Sequence, residues 1–125
     1  MFQESEAYSG FSVDDADRAK RFYSQVLGLP ISDIDDEFGM FSIGIGGGRT
    51  VFVYTKPNHQ PATYTMLNFP VADVEQAVDD LTAKGVEFLR YDGISQDERG
   101  ISRGMGPTIA WFPDPAGNVL SVHEA

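Results

Sequence analysis

The sequence contains no cysteine. This absence excludes disulfide bonds, thiolate nucleophiles, and zinc or iron–sulfur sites built on cysteine. Histidine is also scarce, because His59 and His123 are the only two in the chain. Catalytic or metal-binding chemistry would therefore have to use oxygen donors, these two imidazoles, or both.

Positive charge is scarce as well. The chain has 9 Lys and Arg against 19 Asp and Glu, which gives a formal net charge of −10. Such a protein repels phosphate groups, so we expect neither nucleic acid nor an anionic membrane as a partner. No stretch approaches the ~18 consecutive apolar residues of a membrane span, and the first ten residues lack a signal-peptide pattern. We therefore expect a cytoplasmic protein.

The composition is that of an ordinary globular protein. Hydrophobic residues make up 42% of the chain and charged residues 22%, close to the average for soluble proteins. A chain of 125 residues can bury roughly two-thirds of the surface that it exposes when unfolded. We expect a single domain over residues 1–125.

An internal repeat divides this domain into two halves. The segment "FSVDDADRA" at 11–19 aligns with "FPVADVEQA" at 69–77 at an offset of 69 − 11 = 58 residues. Each copy reads as a strand, an aspartate, an amphipathic helix and a final glycine. Asp15 and Asp73 are placed to cap the two helices, and Gln76 resembles the second member of a capping box.

Three further strands are predicted after each helix. They span about 30–35, 38–45 and 49–55 in the first half and about 86–91, 107–113 and 118–123 in the second. The proline-containing segment 56–63 is predicted to be a linker. The sequence thus indicates an α+β fold of two βαβββ modules, at about 7–55 and 64–125.

Strand alternation assigns two faces to these sheets. One face is consistently apolar and should pack on the helices. The second face is mixed, which is typical of a ligand cavity but also fits a half-solvated sheet or a dimer contact. The residues predicted on this second face are Tyr8, Gly10, Ser12, Thr50, Phe52, Tyr54, Met66, Asn68, Pro70, Val119, Ser121 and His123.

Three segments carry a family resemblance. They are "FYSQVLGL" at 22–29, "DVEQAVDDLTAKGVEF" at 73–88 and "WFPDPAGNVLSV" at 111–122. With the doubled module, they make the chain resemble the vicinal oxygen chelate superfamily, which includes glyoxalase I, extradiol dioxygenases, fosfomycin-resistance enzymes and bleomycin-binding proteins. The resemblance implies that the two βαβββ modules form a curved, cup-like mixed sheet with the helices on the outside.

The resemblance also allows a test for a metal site. Metal-dependent members hold one divalent ion through histidine, glutamine or glutamate on the first and last strands of each module. The matching positions here carry Tyr8, Phe52, Met66 and Ser121. A hard dication needs about three or more charged oxygen or imidazole donors, and these four side chains do not supply them. We therefore expect no metal and no cofactor, with Ser121 where a metal-binding relative has its carboxylate.

The favoured function is metal-free binding of an aromatic or hydrophobic compound. The alternative is a glyoxalase-related lyase or dioxygenase-type enzyme that uses unrecognised metal ligands, or His123 or Tyr8 as an acid–base group, so catalysis stays open. Trp111 fits a pocket wall and a core position equally well. The resemblance implies a homodimer. The expected ligand-binding residues are Tyr8, Ser12, Phe52, Tyr54, Met66, Asn68, Arg103, Trp111, Ser121 and His123.

Three polar segments have more ordinary interpretations. The glycine-rich loop at 91–107 is either a lid that presents Arg99 or Arg103 to a ligand, or a surface loop whose arginines pair with neighbouring acidic residues. His59 is expected to be an exposed linker histidine. The acidic run at 33–37 is expected to be an exposed turn.

Overall fold

The computed structural model describes all residues 1–125, and the chain divides into two compact units, residues Met1–Gln60 and Pro61–Ala125. The boundary falls inside the 56–63 segment. Each unit contains one α-helix and one mixed sheet. The α+β fold class expected from the sequence is confirmed. No helix combines the length and apolar composition needed to cross a membrane.

Unit 1 holds a four-stranded sheet. Its strands are β1 Gly10–Val13, β2 Ile31–Asp35, β3 Met40–Ile45 and β4 Arg49–Thr55. They lie in the order β1-β4-β3-β2. β1 runs parallel to β4, and the other pairs are antiparallel. The glycine-rich turn between β3 and β4 requires glycine, since Gly47 and Gly48 have φ angles of +82° and +71°.

The helix of unit 1, α1, spans Ala16–Arg21 and continues as a π-helical turn over Phe22–Val26. Asp15 caps it as predicted, because its side chain accepts a hydrogen bond of 3.1 Å from the amide of Arg18. The helical segment is followed by Gly28 at a φ angle of +71°, a conformation that favours glycine after a helix.

The helical segment packs on one face of the unit 1 sheet. The ring of Tyr23, which is buried, lies 5.9 Å from that of Phe11 between centroids. The Lys20 ammonium lies 5.6 Å from the ring centroid of Phe41. The core of unit 1 lies between the helical segment and this face. The opposite face of the sheet carries no helix. The buried apolar strand residues of unit 1 are Val13, Phe41, Ile43, Val51 and Val53.

The acidic run at 33–37 is only partly a turn. Asp33 and Asp35 belong to β2, and the turn itself follows them. Asp33 lies 2.7 Å from the Lys20 ammonium, and this hydrogen bond raises the pKa of Lys20. Asp35 accepts a 2.9 Å hydrogen bond from the amide of Glu37 and so begins the turn. These carboxylates therefore have structural roles.

Unit 2 holds a three-stranded sheet and one helix. The elements are β5 Thr65–Val71, α2 Val74–Ala83, β6 Ile109–Pro113 and β7 Val119–Glu124. The strand order is β5-β7-β6, with β5 parallel to β7 and β6 antiparallel to it. Asp73 caps α2 by accepting a 3.1 Å hydrogen bond from the amide of Gln76. The Gln76 side chain donates to Asp80 instead of closing a capping box.

The strand predicted at 86–91 is absent. One bond typical of a sheet forms there, from the Leu89 amide to the Trp111 carbonyl at 2.8 Å. The Gln96 side chain makes two hydrogen bonds of the kind that a neighbouring strand would make. It donates to the Leu89 carbonyl at 2.9 Å and accepts from the Tyr91 amide at 2.8 Å. Residues 86–91 are consequently an irregular segment held partly by the Gln96 side chain.

The "DPAGN" segment is a structural turn whose two polar side chains are buried. The Asp114 side chain accepts hydrogen bonds from the amides of Ala116 and Asn118, both at 2.9 Å, and from the Asn118 side chain at 3.0 Å. Asp114 and Asn118 are 4% and 2% exposed. Gly117 has a φ angle of +86°, and a Cβ atom there would lie 3.2 Å from Pro61. The turn itself therefore explains Asp114, Gly117 and Asn118.

Candidate functional site

The helix-free face of the unit 1 sheet carries two stacked aromatic rings. β1 and β4 pair so that Gly10 lies beside Phe52 and Ser12 beside Tyr54. The Phe52 and Tyr54 rings stack with centroids 5.8 Å apart and an interplanar angle of 19°. Both side chains are partly exposed. The two rings, with the Ser12 hydroxyl on the same face, can stack on a planar ligand.

Tyr8 extends this aromatic surface from outside the strand. The sequence places it in the first strand, but β1 begins at Gly10. Tyr8 is 74% exposed, and its ring meets Phe52 edge-on at a centroid distance of 6.3 Å. Because Tyr8 precedes β1, the alternation of side chains along that strand does not determine the direction of its side chain.

His59 is not the exposed loop residue expected from the sequence. It is partly buried, and its Nδ1 lies 2.6 Å from the Ser12 Oγ. The Lys56 amide donates to the Val13 carbonyl at 2.9 Å, which holds the end of β4 to β1, and the His59 amide then donates to the Lys56 carbonyl at 3.2 Å. This turn through Pro57 and Asn58 returns the chain to β1. A proline–asparagine turn directly after a strand was the available signal in the sequence.

In unit 2, one row across the sheet joins three of the predicted site residues. Asn68, Ser121 and Trp111 are direct neighbours on β5, β7 and β6. Ser121 is fully buried and donates a 2.6 Å hydrogen bond to the Asn68 Oδ1. Trp111 is partly exposed on the same face. The register therefore shows on which side of the sheet Trp111 lies, which the sequence did not determine.

An aromatic neighbour supports Trp111. The Tyr91 ring meets it edge-on, with centroids 5.5 Å apart. Burial raises the pKa of the Tyr91 phenol, so this side chain stays neutral at physiological pH. The pair forms an apolar surface beside the polar Asn68–Ser121 pair.

His123 lies on the same face as Ser121, two residues along β7. It is partly buried, and its Nδ1 lies 3.0 Å from the Glu124 carbonyl oxygen. A carbonyl oxygen only accepts, so this Nδ1 carries the hydrogen and the neutral ring has its lone pair on Nε2. This arrangement suits a hydrogen-bond acceptor or a base.

Met66 lies at an irregularity of β5. The register with β7 shifts between Thr65, which pairs with Val119, and Leu67, which pairs with Leu120. Met66 is the additional residue of this bulge, so the alternation that placed it with the site residues is interrupted there.

The arginines of the 91–107 loop bind the outer side of α2. Arg99 and Arg103 form contacts of 2.5–3.1 Å with carboxylates. This arrangement corresponds to the surface-loop interpretation, in which Arg103 pairs with a neighbouring acidic residue. The carboxylates involved are Glu75, Asp79 and Asp97.

The Asp97 carboxylate accepts hydrogen bonds from three other residues of this loop. Burial by itself would raise the pKa of Asp97, but the hydrogen bonds from Arg103 and from the amides of Ile101 and Arg99 outweigh it, so the pKa lies below its ordinary value of 3.8. A depressed carboxyl pKa stabilises the folded state above the unfolded-state value, and this stabilisation is lost as the pH falls through the folded-state value.

We therefore expect Asp97→Asn to flatten the dependence of stability on pH between about pH 5 and pH 2. Urea unfolding at a series of pH values measures this slope. Asp92→Asn, at an exposed position of the same loop, is the control and should keep the wild-type slope. Equal slopes for the wild type and Asp97→Asn would contradict the assigned role.

A family comparison agrees with the fold. The family described as "Glyoxalase/Bleomycin resistance protein/Dioxygenase superfamily" matches residues 7–122. The chain belongs to this superfamily. The resemblance to vicinal oxygen chelate proteins is thereby confirmed. No curated protein matches the chain.

Solved structures of the glyoxalase superfamily fold are similar over nearly the whole chain. TnmS3, an antibiotic binding protein from Streptomyces sp. CB03234, is 23% identical, covers 98% of each chain and has a TM-score of 0.70. The fosfomycin resistance protein FosX from Listeria monocytogenes is 14% identical, covers 98% of this chain and 93% of its own, and has a TM-score of 0.72. Lactoylglutathione lyase from Agrobacterium tumefaciens is 19% identical, covers 98% and 96%, and has a TM-score of 0.69. These identities establish the fold alone.

The superfamily's metal positions carry side chains that do not fit a divalent ion. Phe52 is stacked on Tyr54, and the Ser121 hydroxyl is bonded to Asn68. Tyr8 lies outside its strand and Met66 lies at a bulge. No three or more side chains of His, Asp or Glu are grouped so that they could hold a metal.

A separate cavity of about 350 Å³ lies in unit 2 between α2 and the 86–90 segment. Val86 and Phe88 line its apolar part, and its rim is charged. On that rim, Arg99 pairs with Asp79 at 2.8 Å. Because charges of both signs line it, this cavity specifies no class of ligand.

Proposed function

We propose that this superfamily member binds an aromatic or hydrophobic small molecule on the helix-free faces of its sheets and does so without a metal ion. The stacked pair of Phe52 and Tyr54, partly exposed beside Ser12, is the observation that carries this proposal. Aromatic walls with a few polar groups are the usual composition of small-molecule sites.

In unit 2, the polar groups on the sheet face of Ser121 would orient a ligand bound there. Because Ser121 donates to the Oδ1 of Asn68, the Asn68 amide NH₂ group is directed to serve as a donor. Ser121 is thus a positioning residue. His123 offers its Nε2 as an acceptor, and Trp111 offers an apolar ring. Arg103 stays a predicted ligand contact, which would require its ion pairs with Glu75 and Asp97 to open.

A thermal-shift screen tests the proposal. A compound that binds only the folded chain raises its apparent stability. The compounds are aromatic antibiotics, aldehydes and thiol conjugates, and the first class is also suggested by the antibiotic binding protein of the same fold. We expect a saturable shift for an aromatic compound in the presence of EDTA. Shifts that disappear with EDTA, or that persist unchanged after replacement of both Phe52 and Tyr54 by alanine, would contradict the proposal.

A second candidate function is metal-independent acid–base catalysis by His123, with Tyr8 as another proton carrier. The hydrogen bond from His123 Nδ1 to the Glu124 carbonyl favours it, since it leaves Nε2 available as a base. His123→Ala separates the two functions. Ligand affinity within a few fold of wild type and no catalytic loss agrees with binding alone, whereas loss of product formation with retained affinity indicates catalysis.

We also propose that the chain forms a homodimer in the cytoplasm. Large exposed apolar side chains support this proposal, among them Tyr64 and Met105, which are 71% and 72% exposed. Light scattering measures the mass directly. A value of 13.7 kDa, the mass of one chain, at all concentrations would contradict the dimer.

A further inference from the structure

A serine and a histidine of unit 1 form a close pair. The Ser12 Oγ and the His59 Nδ1 are 2.6 Å apart, and both side chains are partly buried. This distance lies within the range in which an imidazole can take a proton from a hydroxyl group. A serine hydroxyl is a weak nucleophile unless such a base lies beside it.

Main-chain hydrogen bonds fix both members of the pair. Ser12 lies inside β1, where its neighbour on β4 is Tyr54. His59 ends a turn that begins at Lys56, and Lys56 is itself bonded to Val13, the residue after Ser12. Main-chain hydrogen bonds therefore hold the backbone of both residues close to the contact between Ser12 and His59. Rigid backbone on both sides distinguishes this contact from one between mobile surface side chains.

The surroundings of Ser12 define a class of substrate. Phe52 and Tyr54 lie on the same face and present a stacked aromatic surface. An ester whose carbonyl carbon reaches the Ser12 Oγ can place an aromatic group against these rings. Stacking of this kind positions a substrate without charge, which suits an acidic protein and a neutral ester.

We propose that Ser12 is a nucleophile activated by His59 and that this face of unit 1 hydrolyses aryl esters. The Ser12 Oγ attacks the ester carbonyl carbon while its proton passes to the His59 Nδ1. The bond from that carbon to the aryl oxygen then breaks, and the leaving oxygen takes the proton from the imidazole. Water attacks the acyl-serine by the same route, which releases the carboxylic acid and restores the hydroxyl group. The base form of His59 has its hydrogen on Nε2.

Hydrolysis of p-nitrophenyl acetate by the full chain tests this activity. We expect an acetyl group on the peptide that contains Ser12 when the reaction is quenched early. Ser12→Ala and His59→Gln should each lower the turnover rate by about 100-fold or more. Ser42→Ala is the matched control, because Ser42 is a partly buried serine of the same sheet, paired with Phe52. Turnover that survives in Ser12→Ala, or an acetyl group elsewhere, overturns the proposal.

The absence of cysteine provides a second, independent test. Ser12→Cys introduces the only thiol of the chain, so iodoacetamide can modify only this side chain rapidly. A neighbouring imidazole promotes thiolate formation, and we expect His59→Gln to slow alkylation of Ser12→Cys at pH 7 by about tenfold. Equal alkylation rates with and without His59 show that the pair is not a functional dyad. A wild-type chain that shows a thermal shift with an aromatic ligand but forms no acetyl-serine contradicts this proposal alone, so its failure and failure of the binding function are distinguishable.

Discussion

Replacement of Asp114 by alanine is expected to lower the free energy of unfolding by about 3 kcal/mol. The Asp114 carboxylate, 4% exposed, accepts from two amides and from the Asn118 side chain. Removal of the carboxylate leaves these donors without their acceptor in a place that water does not reach freely. Urea unfolding followed by circular dichroism gives the change in free energy.

Two further variants separate the contribution of the turn to stability from the general effect of removing a negative charge. Asp92→Ala removes a carboxylate from an exposed loop position and should change stability by less than about 0.5 kcal/mol. Asp114→Asn should be destabilising as well, since its NH₂ group would face the donors of Asn118. If Asp114→Ala were no more destabilising than Asp92→Ala, the structural role of the "DPAGN" turn would be wrong.

Loss of the stacked rings is expected to weaken binding of an aromatic ligand by about tenfold for each ring removed. The variants are Phe52→Ala and Tyr54→Ala, and the ligand is the aromatic compound with the largest thermal shift. Each substitution removes stacking area and apolar surface that the ligand would bury. Isothermal titration calorimetry measures the dissociation constants.

The control for this prediction is another exposed aromatic residue. Phe38 lies in the turn between β2 and β3 and is 61% exposed, so Phe38→Ala should leave the affinity unchanged. Each variant should keep a cooperative thermal transition, which separates a loss of binding from a loss of folding. Wild-type affinity in both Phe52→Ala and Tyr54→Ala would exclude these rings from the site.

Local signals in the sequence were sufficient for most of the fold. The repeat fixed both helix starts, because Asp15 and Asp73 act through hydrogen bonds to residues three positions away. In unit 1, alternation also predicted which side of the sheet packs on the helical segment. These features depend on neighbours in the chain and are therefore readable without a structure.

The predictions from sequence were wrong or incomplete where a contact with a residue elsewhere in the chain decides the structure. Residues 86–91 have a strand-like sequence, but the Gln96 side chain occupies the backbone groups that a strand would pair. The contact between His59 and Ser12 depends on the parallel pairing of β1 with β4, which strand propensity does not specify. The side of Trp111 likewise required the register with Ser121.

Metal analysis of the chain purified without chelator tests the central claim most directly. The positions at which metal-binding members of the superfamily place ligands carry aromatic, thioether and hydroxyl groups here, so we predict only substoichiometric amounts of nickel, zinc, iron and manganese by inductively coupled plasma mass spectrometry. One tightly bound ion of any of these metals per chain would contradict a site that works through stacking and hydrogen bonds alone.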